Sequence, residues 1–302
     1  MGRFLGLDGG GTKTDAVVVD STGHVLARLR TDGLDPTLGA GWEAALSDIA
    51  KGLGPVTAAV LGLPFHGEIA DLSARQTALA AALFGPGSRV VNDVAVAFEG
   101  ALAGADGVLV LAGTGSMAWS RGPLGEHRVG GWGDAFGDEG SAYWIGRTAL
   151  ARISHQLDGR IAATGFADAM LTRLGIGGGD LIRWTYGLEN QRAGVAALAA
   201  TVSNLALQGS ADAKAIMTDA AQHLAELGLT AARLCGEPHR WSFAGGAMTD
   251  PTLMNVLTLA MGCTPTPPVL PPVGGAALAA AKAAGWDTGP DFITRLKAEL
   301  TE

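Results

Sequence analysis

Apolar runs of strand length alternate with longer segments of helical period over the first third of the chain. The runs at residues 4–8, 15–20 and 57–63 are short, apolar and bounded by Gly, Asp or Pro, which is typical of buried β-strands. The Ala- and Leu-rich segments at residues 42–53 and 69–84 predict helices. Strands that alternate with helices in this way predict an α/β fold.

A second copy of the opening pattern begins near the end of that first third. Residues 108–111 form an apolar run, residues 113–115 a Gly-Thr-Gly turn, and residues 116–120 a second strand-like run. Residues 5–23 have the same order of strand, Gly-rich turn, strand and turn. We interpret the two segments as an internal duplication, which predicts two domains of similar fold.

Helical segments dominate the rest of the chain, with one apolar strand at residues 241–244. Predicted helices cover residues 139–157, 161–174, 192–208, 211–234, 274–284 and 292–300, and another begins near residue 251. We therefore expect a first domain at residues 1–105 and a second at residues 106–287. A C-terminal helix at about residues 288–302 is expected to pack back on the first domain.

Composition and charge narrow the function classes. Hydrophobic residues make up 48% of the 302 residues and charged residues 17%, so the chain can bury a large core. The net charge of −8 and the scattered Lys and Arg residues argue against nucleic acid or a membrane surface as a partner. No apolar run approaches the ~18–20 residues of a membrane span. With two cysteines, no CxxC pair and no charged leader before a long apolar stretch, we expect a cytoplasmic protein.

The first Gly-rich turn is Asp-Gly-Gly-Gly-Thr-Lys-Thr at residues 8–14. Three glycines let backbone N–H groups approach an anion closely, Thr12 adds a hydroxyl and Lys13 a positive charge. Asp8 at the strand end is suited to hydrated Mg²⁺. This is not a Walker A loop, because that motif opens a helix and this turn opens a strand. A tight hairpin without a ligand is the alternative.

The second turn, Gly113-Thr114-Gly115-Ser116, has the same composition. With Ala118 it also fits the GxGxxA dinucleotide pattern, but that pattern requires a helix after the glycines, and residues 117–123 cannot form a long one. Two hairpin loops of this kind are suited to grip one triphosphate.

Asn92 and Asp93 lie where a short strand at residues 88–91 gives way to a helix at 94–102. Ligands of α/β folds bind at this edge of the sheet, and a kinase needs a carboxylate to accept the proton of the attacking hydroxyl. The alternative for an Asp at this position is a helix cap.

The segment at residues 130–141 combines five glycines with Trp132, Asp138 and Glu139. An indole ring suits the face of a sugar, and carboxylates can accept hydrogen bonds from vicinal hydroxyls. The alternative is an acidic helix N-terminus. Gly245 and Gly246 follow the strand at 241–244 and leave room for a flat ligand.

Together these segments resemble the N-acetylglucosamine kinase and BadF-type ATPase branch of the superfamily that includes actin, hexokinase and the heat-shock chaperone ATPases. The resemblance rests on residues 7–14, 92–93, 113–116, 131–133 and, most specifically, 137–146. It implies two actin-like (ribonuclease H-like) domains around a central cleft for nucleotide and sugar. Two departures concern Asp35, where the family usually has Asn, and residues 62–68, which are commonly rich in Gly and Ala.

The resemblance implies roles for individual residues. Asp93 matches the catalytic base and Asp8 the carboxylate associated with Mg²⁺. The ATP-binding positions are Gly10, Gly11, Thr12, Lys13, Gly113, Thr114, Gly115, Gly245 and Gly246. The substrate-binding positions are Asp35, Asn92, Asp93, Ser116, Gly131, Trp132, Asp138 and Glu139.

These observations predict an ATP- and Mg²⁺-dependent amino-sugar kinase that phosphorylates the 6-hydroxyl of N-acetylglucosamine. Glucosamine is the alternative sugar. Two other classes share the fold, namely an activator ATPase of an acyl-CoA dehydratase, which would hold an iron–sulfur cluster through Cys ligands, and a non-catalytic sugar-responsive regulator. Small molecules are the expected partners, with no nucleic acid and no membrane, and a homodimer is left open.

Overall fold

The computed structural model describes residues 2–11, 13–39, 41–236 and 240–301. The chain divides into two compact units, which we call the first unit (Met1–Asp106 and Pro267–Glu302) and the second unit (Gly107–Thr266). The second unit is thus inserted into the sequence of the first. Residues 267–287, which we expected in the second domain, lie in the first unit.

Strands and helices are numbered along the chain. The strands are β1 (Arg3–Gly9), β2 (Lys13–Asp20), β3 (Val25–Asp32), β4 (Ala58–Leu63), β5 (Arg89–Asn92), β6 (Gly107–Ala112), β7 (Ser116–Gly122), β8 (Gly125–Gly130) and β9 (Trp241–Ala244). The helices are α1 (Gly41–Leu53), α2 (Ala70–Phe84), α3 (Asp93–Ala101), α4 (Ala142–Leu157), α5 (Phe166–Leu174), α6 (Leu181–Tyr186), α7 (Gln191–Leu207), α8 (Ala211–Cys235), α9 (Pro251–Met261), α10 (Pro272–Ala283) and α11 (Pro290–Thr301).

The first unit is built on a five-stranded sheet in the order β3-β2-β1-β4-β5. β1 pairs antiparallel with β2 and parallel with β4. Alternate residues of the central strands point to opposite faces, as the pleat requires. Phe4 and Val17 pack with α10 and α11, whereas Leu5 and Val18 pack with α1. The sheet is therefore covered by helices on both faces.

Helix α10 lies unusually close to the first sheet because glycines remove side chains at the contact. A Cβ at Gly6 of β1 would lie 2.2 Å from the backbone nitrogen of Ala277. A Cβ at Gly275 would lie 2.2 Å from the carbonyl oxygen of Val96 on α3. This close packing is the physical reason that residues 267–287 belong with the first unit.

The second unit repeats the same strand arrangement. Its sheet has the order β8-β7-β6-β9, which corresponds to β3-β2-β1-β4 of the first sheet, with the same antiparallel and parallel pairings. The duplication inferred from the sequence is thus present in the topology. Its core is a separate cluster of apolar side chains from the sheet and from α4, α5, α7, α8 and α9.

Some elements differ from the sequence prediction. Strand β8 and the short helix α6 were not predicted, and α5 begins at Phe166 rather than at residue 161. Helix α4 begins at Ala142 rather than at Glu139, because the Ser141 side chain accepts from the Trp144 N–H and caps it. In the part of the chain that the structure describes, no helix is both long and apolar enough to span a bilayer.

Candidate active site

The first Gly-rich loop connects β1 to β2 at one edge of the first sheet. Lys13 begins a strand, as expected for a loop distinct from the Walker A type. The carbonyl of Gly10 accepts from the Leu34 N–H at 3.1 Å, which ties the loop to the segment after β3. Thr12 lies outside the described residues, so its predicted phosphate contact stays a prediction.

Asp8 lies at the carboxyl end of β1, and Asp93 directly follows β5; β4 lies between these two parallel strands. Asp8 pairs with Gly62 in the parallel ladder, and Leu63 pairs with Asn92. The Cβ position of Gly62 is only 3.2 Å from the Cα of Asp93, so a glycine lets the start of α3 approach β4. The sheet therefore brings the two predicted carboxylates to one edge.

Burial and nearby negative charges raise the pKa values of both groups. Burial, followed by the charges of Asp93 and Asp15, raises the pKa of Asp8 to about 7, against the opposing charge of Lys13. Burial, followed by the charge of Glu68, raises the pKa of Asp93 to about 6, although the Val94 N–H opposes it. Asp93 thus has a pKa suited to a general base near neutral pH.

Asn92, rather than Asp93, is the capping residue of α3. Its Oδ1 accepts from the Val94 N–H at 3.0 Å, and its Nδ2 donates to the carbonyl of His66 at 3.1 Å and to Oε1 of Glu68 at 2.9 Å. The amide therefore orients the segment after β4 against the start of α3. Its predicted contact with substrate remains a prediction.

Asp35 lies beside the first loop and also begins a turn. Its Oδ1 accepts from the backbone N–H and the hydroxyl of Thr37 at 2.8 and 2.7 Å. Its Oδ2 is 3.6 Å from the Cβ position of Gly11. One carboxylate oxygen therefore serves the turn, and the other lies next to the loop.

In the second unit, the start of α4 holds the second Gly-rich loop. The Ala142 N–H donates to the carbonyl of Gly113 at 2.9 Å, and the Tyr143 N–H donates to that of Thr114 at 3.3 Å. The Ser116 hydroxyl donates to the carbonyl of Glu139 at 2.7 Å. Thr114 itself is exposed. The loop is thus fixed through its backbone while its Thr side chain faces solvent.

Asp138 is buried next to this loop and is paired with Arg192 of α7. Arg192 Nη2 donates to Asp138 Oδ2 at 2.6 Å, and the side chain of Asp138 is 4% exposed. Burial raises the pKa of Asp138, opposed by the charge of Arg192 and by the N–H groups of Ser116 and Gly133. The residue is therefore not part of an acidic helix start, which was the alternative interpretation.

Trp132 projects from the segment between β8 and α4 and is 67% exposed. The guanidinium of Arg128 lies 5.5 Å from its ring centroid. Arg128 also donates to the carbonyl of Gly131, whose φ of +72° favours glycine. Cation and indole therefore stack at the end of β8.

Gly245 and Gly246 follow β9, which runs parallel to β6. A Cβ at Gly245 would lie 2.3 Å from the carbonyl oxygen of Ala112 and 2.7 Å from the nitrogen of Gly113. The predicted adenosine turn and the second loop are therefore in backbone contact, and only glycine permits that approach.

Two residues that take part in these contacts were not identified as site residues from the sequence. Glu68 was included only in a segment that departs from the family pattern, and Arg192 only as the start of a helix. A signal for Arg192 did exist, because a cation in the first turn of a helix opposes the helix dipole. Its partner Asp138, however, is 54 residues away.

The carboxylates of the first unit are suited to a magnesium ion that arrives with phosphate. Mg²⁺ is usually held by one or two carboxylates together with substrate phosphates. The raised pKa of Asp8, caused by burial and by neighbouring carboxylates, shows negative charge that a cation would neutralise. The described residues contain no group of three or more His, Cys, Asp or Glu side chains that could hold a metal by themselves.

Comparison with known proteins gave consistent matches. A family model described as the BadF/BadG/BcrA/BcrD ATPase family matches residues 5–280. The chain is 34% identical over 137 residues to an N-acetylmuramic acid/N-acetylglucosamine kinase of Clostridium acetobutylicum, which is 45% of each protein. It is 29% identical over 211 residues to an N-acetyl-D-glucosamine kinase of Dictyostelium discoideum, which is 62% of this chain and 66% of that protein. The chain thus spans less than two thirds of the length of each of these relatives.

A solved structure matches over nearly the whole chain. It is a Chromobacterium violaceum protein described provisionally as an N-acetylglucosamine kinase, with a TM-score of 0.73 and 25% identity. The match covers 92% of this chain and 98% of that one. The actin-like fold predicted from the sequence is therefore confirmed.

Proposed function

Because the chain belongs to the BadF/BadG/BcrA/BcrD ATPase family, we propose that it is an ATP-dependent amino-sugar kinase. The observation that carries this proposal is the half-buried Asp93, with a pKa of about 6, at the same sheet edge as Asp8 and the first Gly-rich loop. N-acetylglucosamine is the preferred candidate, since both curated relatives are kinases of that sugar.

The reaction is transfer of the γ-phosphoryl group of ATP to the 6-hydroxyl of the sugar. The hydroxyl oxygen forms a bond to the γ-phosphorus, the bond from phosphorus to the ADP oxygen breaks, and the hydroxyl proton passes to the carboxylate of Asp93. Backbone N–H groups of the two Gly-rich loops, with Lys13 and Thr114, bind the phosphates. Gly245 and Gly246 provide the surface for adenosine.

Mg²⁺, when bound with ATP, neutralises charge on the transferring phosphates. Asp8 is the residue of this chain that would hold it. Lys13, which begins β2 and lowers the pKa of Asp8, helps to keep that carboxyl group ionised. The proposed sugar contacts in the second unit remain Ser116, Gly131, Trp132, Asp138 and Glu139. Asn92 orients the segment that carries Glu68.

Glucosamine is the second candidate because Asp35 places a carboxylate beside the first loop. A carboxylate would bond more strongly to the protonated amine of glucosamine than to a neutral acetamide. Two expectations from the sequence remain predictions. One is that both substrates lie in a cleft between two domains, and the other is that the protein is cytoplasmic.

The test is a coupled ADP-release assay over N-acetylglucosamine, glucosamine, glucose and N-acetylmuramic acid, run on the parent and on Asp93→Asn. We expect the highest kcat/KM with N-acetylglucosamine and a loss of at least ~10²-fold in turnover for the variant, with both substrates still bound. Near-normal turnover of Asp93→Asn would remove Asp93 from its role.

The same preparation distinguishes the other classes. An activator ATPase would contain iron and would hydrolyse ATP without sugar, and a regulator would bind sugar without releasing ADP. We expect an iron-free protein whose ADP release depends on the sugar.

A further inference from the structure

The side chain of Asp138 connects three separate segments of the second unit. Its carboxylate accepts from the backbone N–H groups of Ser116 at the start of β7 and Gly133 in the segment before α4. It also accepts from Arg192 of α7 at 2.6 Å. Asp138 has a φ of +55°, a left-handed conformation that is uncommon for a residue with a side chain. Such a conformation persists only where the surroundings fix it.

Gly115 of the second loop packs directly against this ion pair. A Cβ at Gly115 would lie 2.7 Å from Asp138 Oδ2 and 3.0 Å from Arg192 Nη2. Since Gly115 has no positive φ, the glycine is required here by space and not by backbone conformation. The Asp138–Arg192 ion pair therefore packs directly against Gly115, the middle residue of the loop.

The position of Arg192 is not explained by the stability of its own helix. It is the second residue of α7, and Asn190 caps that helix by accepting from the Ala193 N–H. A cation in the first turn interacts unfavourably with the helix dipole. Its guanidinium instead faces two carboxylates, Asp138 at 2.6 Å and Asp134 at 3.3 Å. Both lie in the segment between β8 and α4.

We propose that Arg192 is a positioning residue for nucleotide binding: through Asp138 it holds the Gly113–Gly115 loop in the conformation that binds phosphate. The assignment rests on the proposed function, which makes this loop a phosphate contact. It predicts that loss of the guanidinium releases Gly115 and Ser116 together, because both contact the same carboxylate.

The test is the affinity for the non-hydrolysable analogue AMPPNP with Mg²⁺, measured by calorimetry without sugar. Arg192→Ala should weaken binding about tenfold or more, the loss expected for one charge-assisted hydrogen bond. Arg192→Lys keeps the charge but loses the fork that reaches both Asp134 and Asp138, so its affinity should lie between those of Arg192→Ala and the parent. Guanidinium ion at millimolar concentration should restore part of the affinity of Arg192→Ala.

Arg152→Ala is the matched control. Arg152 of α4 donates to the buried Asp212 of α8 at 2.7 Å, so it is also a half-exposed arginine paired with a buried carboxylate in the second unit. Both Ala variants should lower the Tm, but only Arg192→Ala should lose affinity. Equal affinities of the two Ala variants would overturn the proposal.

Gly115→Ala tests the same contact with Arg192 intact and serves if Arg192→Ala does not fold. Its methyl group would displace the ion pair, so affinity for AMPPNP should again fall about tenfold. Parent-like affinity of Gly115→Ala would overturn the assignment of Arg192. A parent protein that does not bind AMPPNP would instead overturn the proposed function and, with it, this assignment.

Discussion

Asp93 combines burial with a neighbouring negative charge, and both act in the same direction on one carboxyl group. Its pKa is raised to about 6, first by burial and then by Glu68. A general base must be deprotonated to accept a proton. Activity should therefore rise as the pH increases through the pKa and reach a plateau above it.

We predict that kcat/KM falls about tenfold for each pH unit below about 6 and is level between pH 7 and 8. The coupled assay, run at limiting sugar over a range of pH, measures this acid limb of the kcat/KM profile. Replacing Glu68 by Gln keeps an acceptor for Asn92 and removes the charge, so the limb should move to lower pH. A profile that is level from pH 5 to 8 in the parent would contradict the assignment of Asp93.

Asp35 has a local role that the geometry already accounts for. Its Oδ1 accepts two hydrogen bonds from Thr37, and an Asn side chain has the same acceptor atom. We therefore expect Asp35→Asn to preserve the turn and to change the ratio of kcat/KM for glucosamine over N-acetylglucosamine by less than about twofold. A fall of tenfold or more, the size expected for a lost charge-assisted bond, would favour glucosamine as the substrate.

At the scale of elements, α10 depends on glycine for its contact with α3. Gly275 has backbone atoms of Val96 and Gly100 within 2.3 Å of its Cβ position. Backbone cannot move aside as a flexible side chain can, so Gly275→Ala should lower the free energy of unfolding by about 3 kcal/mol or more.

Gly52→Ala is the control, because its Cβ position in α1 meets only a methyl group of Leu29 at 4.0 Å. Alanine is the better helix former, so this variant should be as stable as the parent or more stable by about 0.5–1 kcal/mol. Chemical denaturation of both variants measures the difference. Similar free energies of unfolding for Gly275→Ala and Gly52→Ala would contradict the close packing of α10.

Most elements could be predicted because apolar runs between Gly turns have the strand period, and long Ala-rich segments the helical one. Strand β8 was missed because Glu126, His127 and Arg128 give it a polar sequence, as is common for strands at a sheet edge. The start of α4 was placed too early because Asp138 and Glu139 look like the acidic first turn of a helix. The Ser141 side chain that caps α4 decides the boundary instead.

At the scale of the whole molecule, the two units differ in whether they are formed by one continuous stretch of the chain. The second unit is one continuous segment with its own core. The first sheet requires α10 and α11, which come from the far end of the sequence, to cover one of its faces.

We therefore predict that a fragment of residues 107–266 folds cooperatively by itself, whereas residues 1–106 alone do not. Circular dichroism with thermal melting and limited proteolysis measures both fragments. Addition of a peptide of residues 267–302 should restore a cooperative transition to residues 1–106. Cooperative melting of residues 1–106 without the peptide would show that α10 and α11 are dispensable.

The placement of candidate residues at strand ends and turns was predicted where they lie in one short motif, as for Asp8, Asp93 and the two Gly-rich loops. It was not predicted where the role depends on a partner that is distant in sequence, as for Arg192 with Asp138. Periodicity and motif spacing carry local information, whereas the pairing of two side chains depends on the completed packing of helices.

The insertion of one unit within the other has a consequence for synthesis on the ribosome. Residues 1–106 emerge first, but the helices that cover their sheet follow only after the 160 residues of the second unit. At about 5–20 residues per second, this delay is roughly 8–32 s. During that interval the nascent chain exposes an apolar sheet face, which is the kind of surface that chaperones bind. Of the two units, the one that the ribosome begins first is thus completed last.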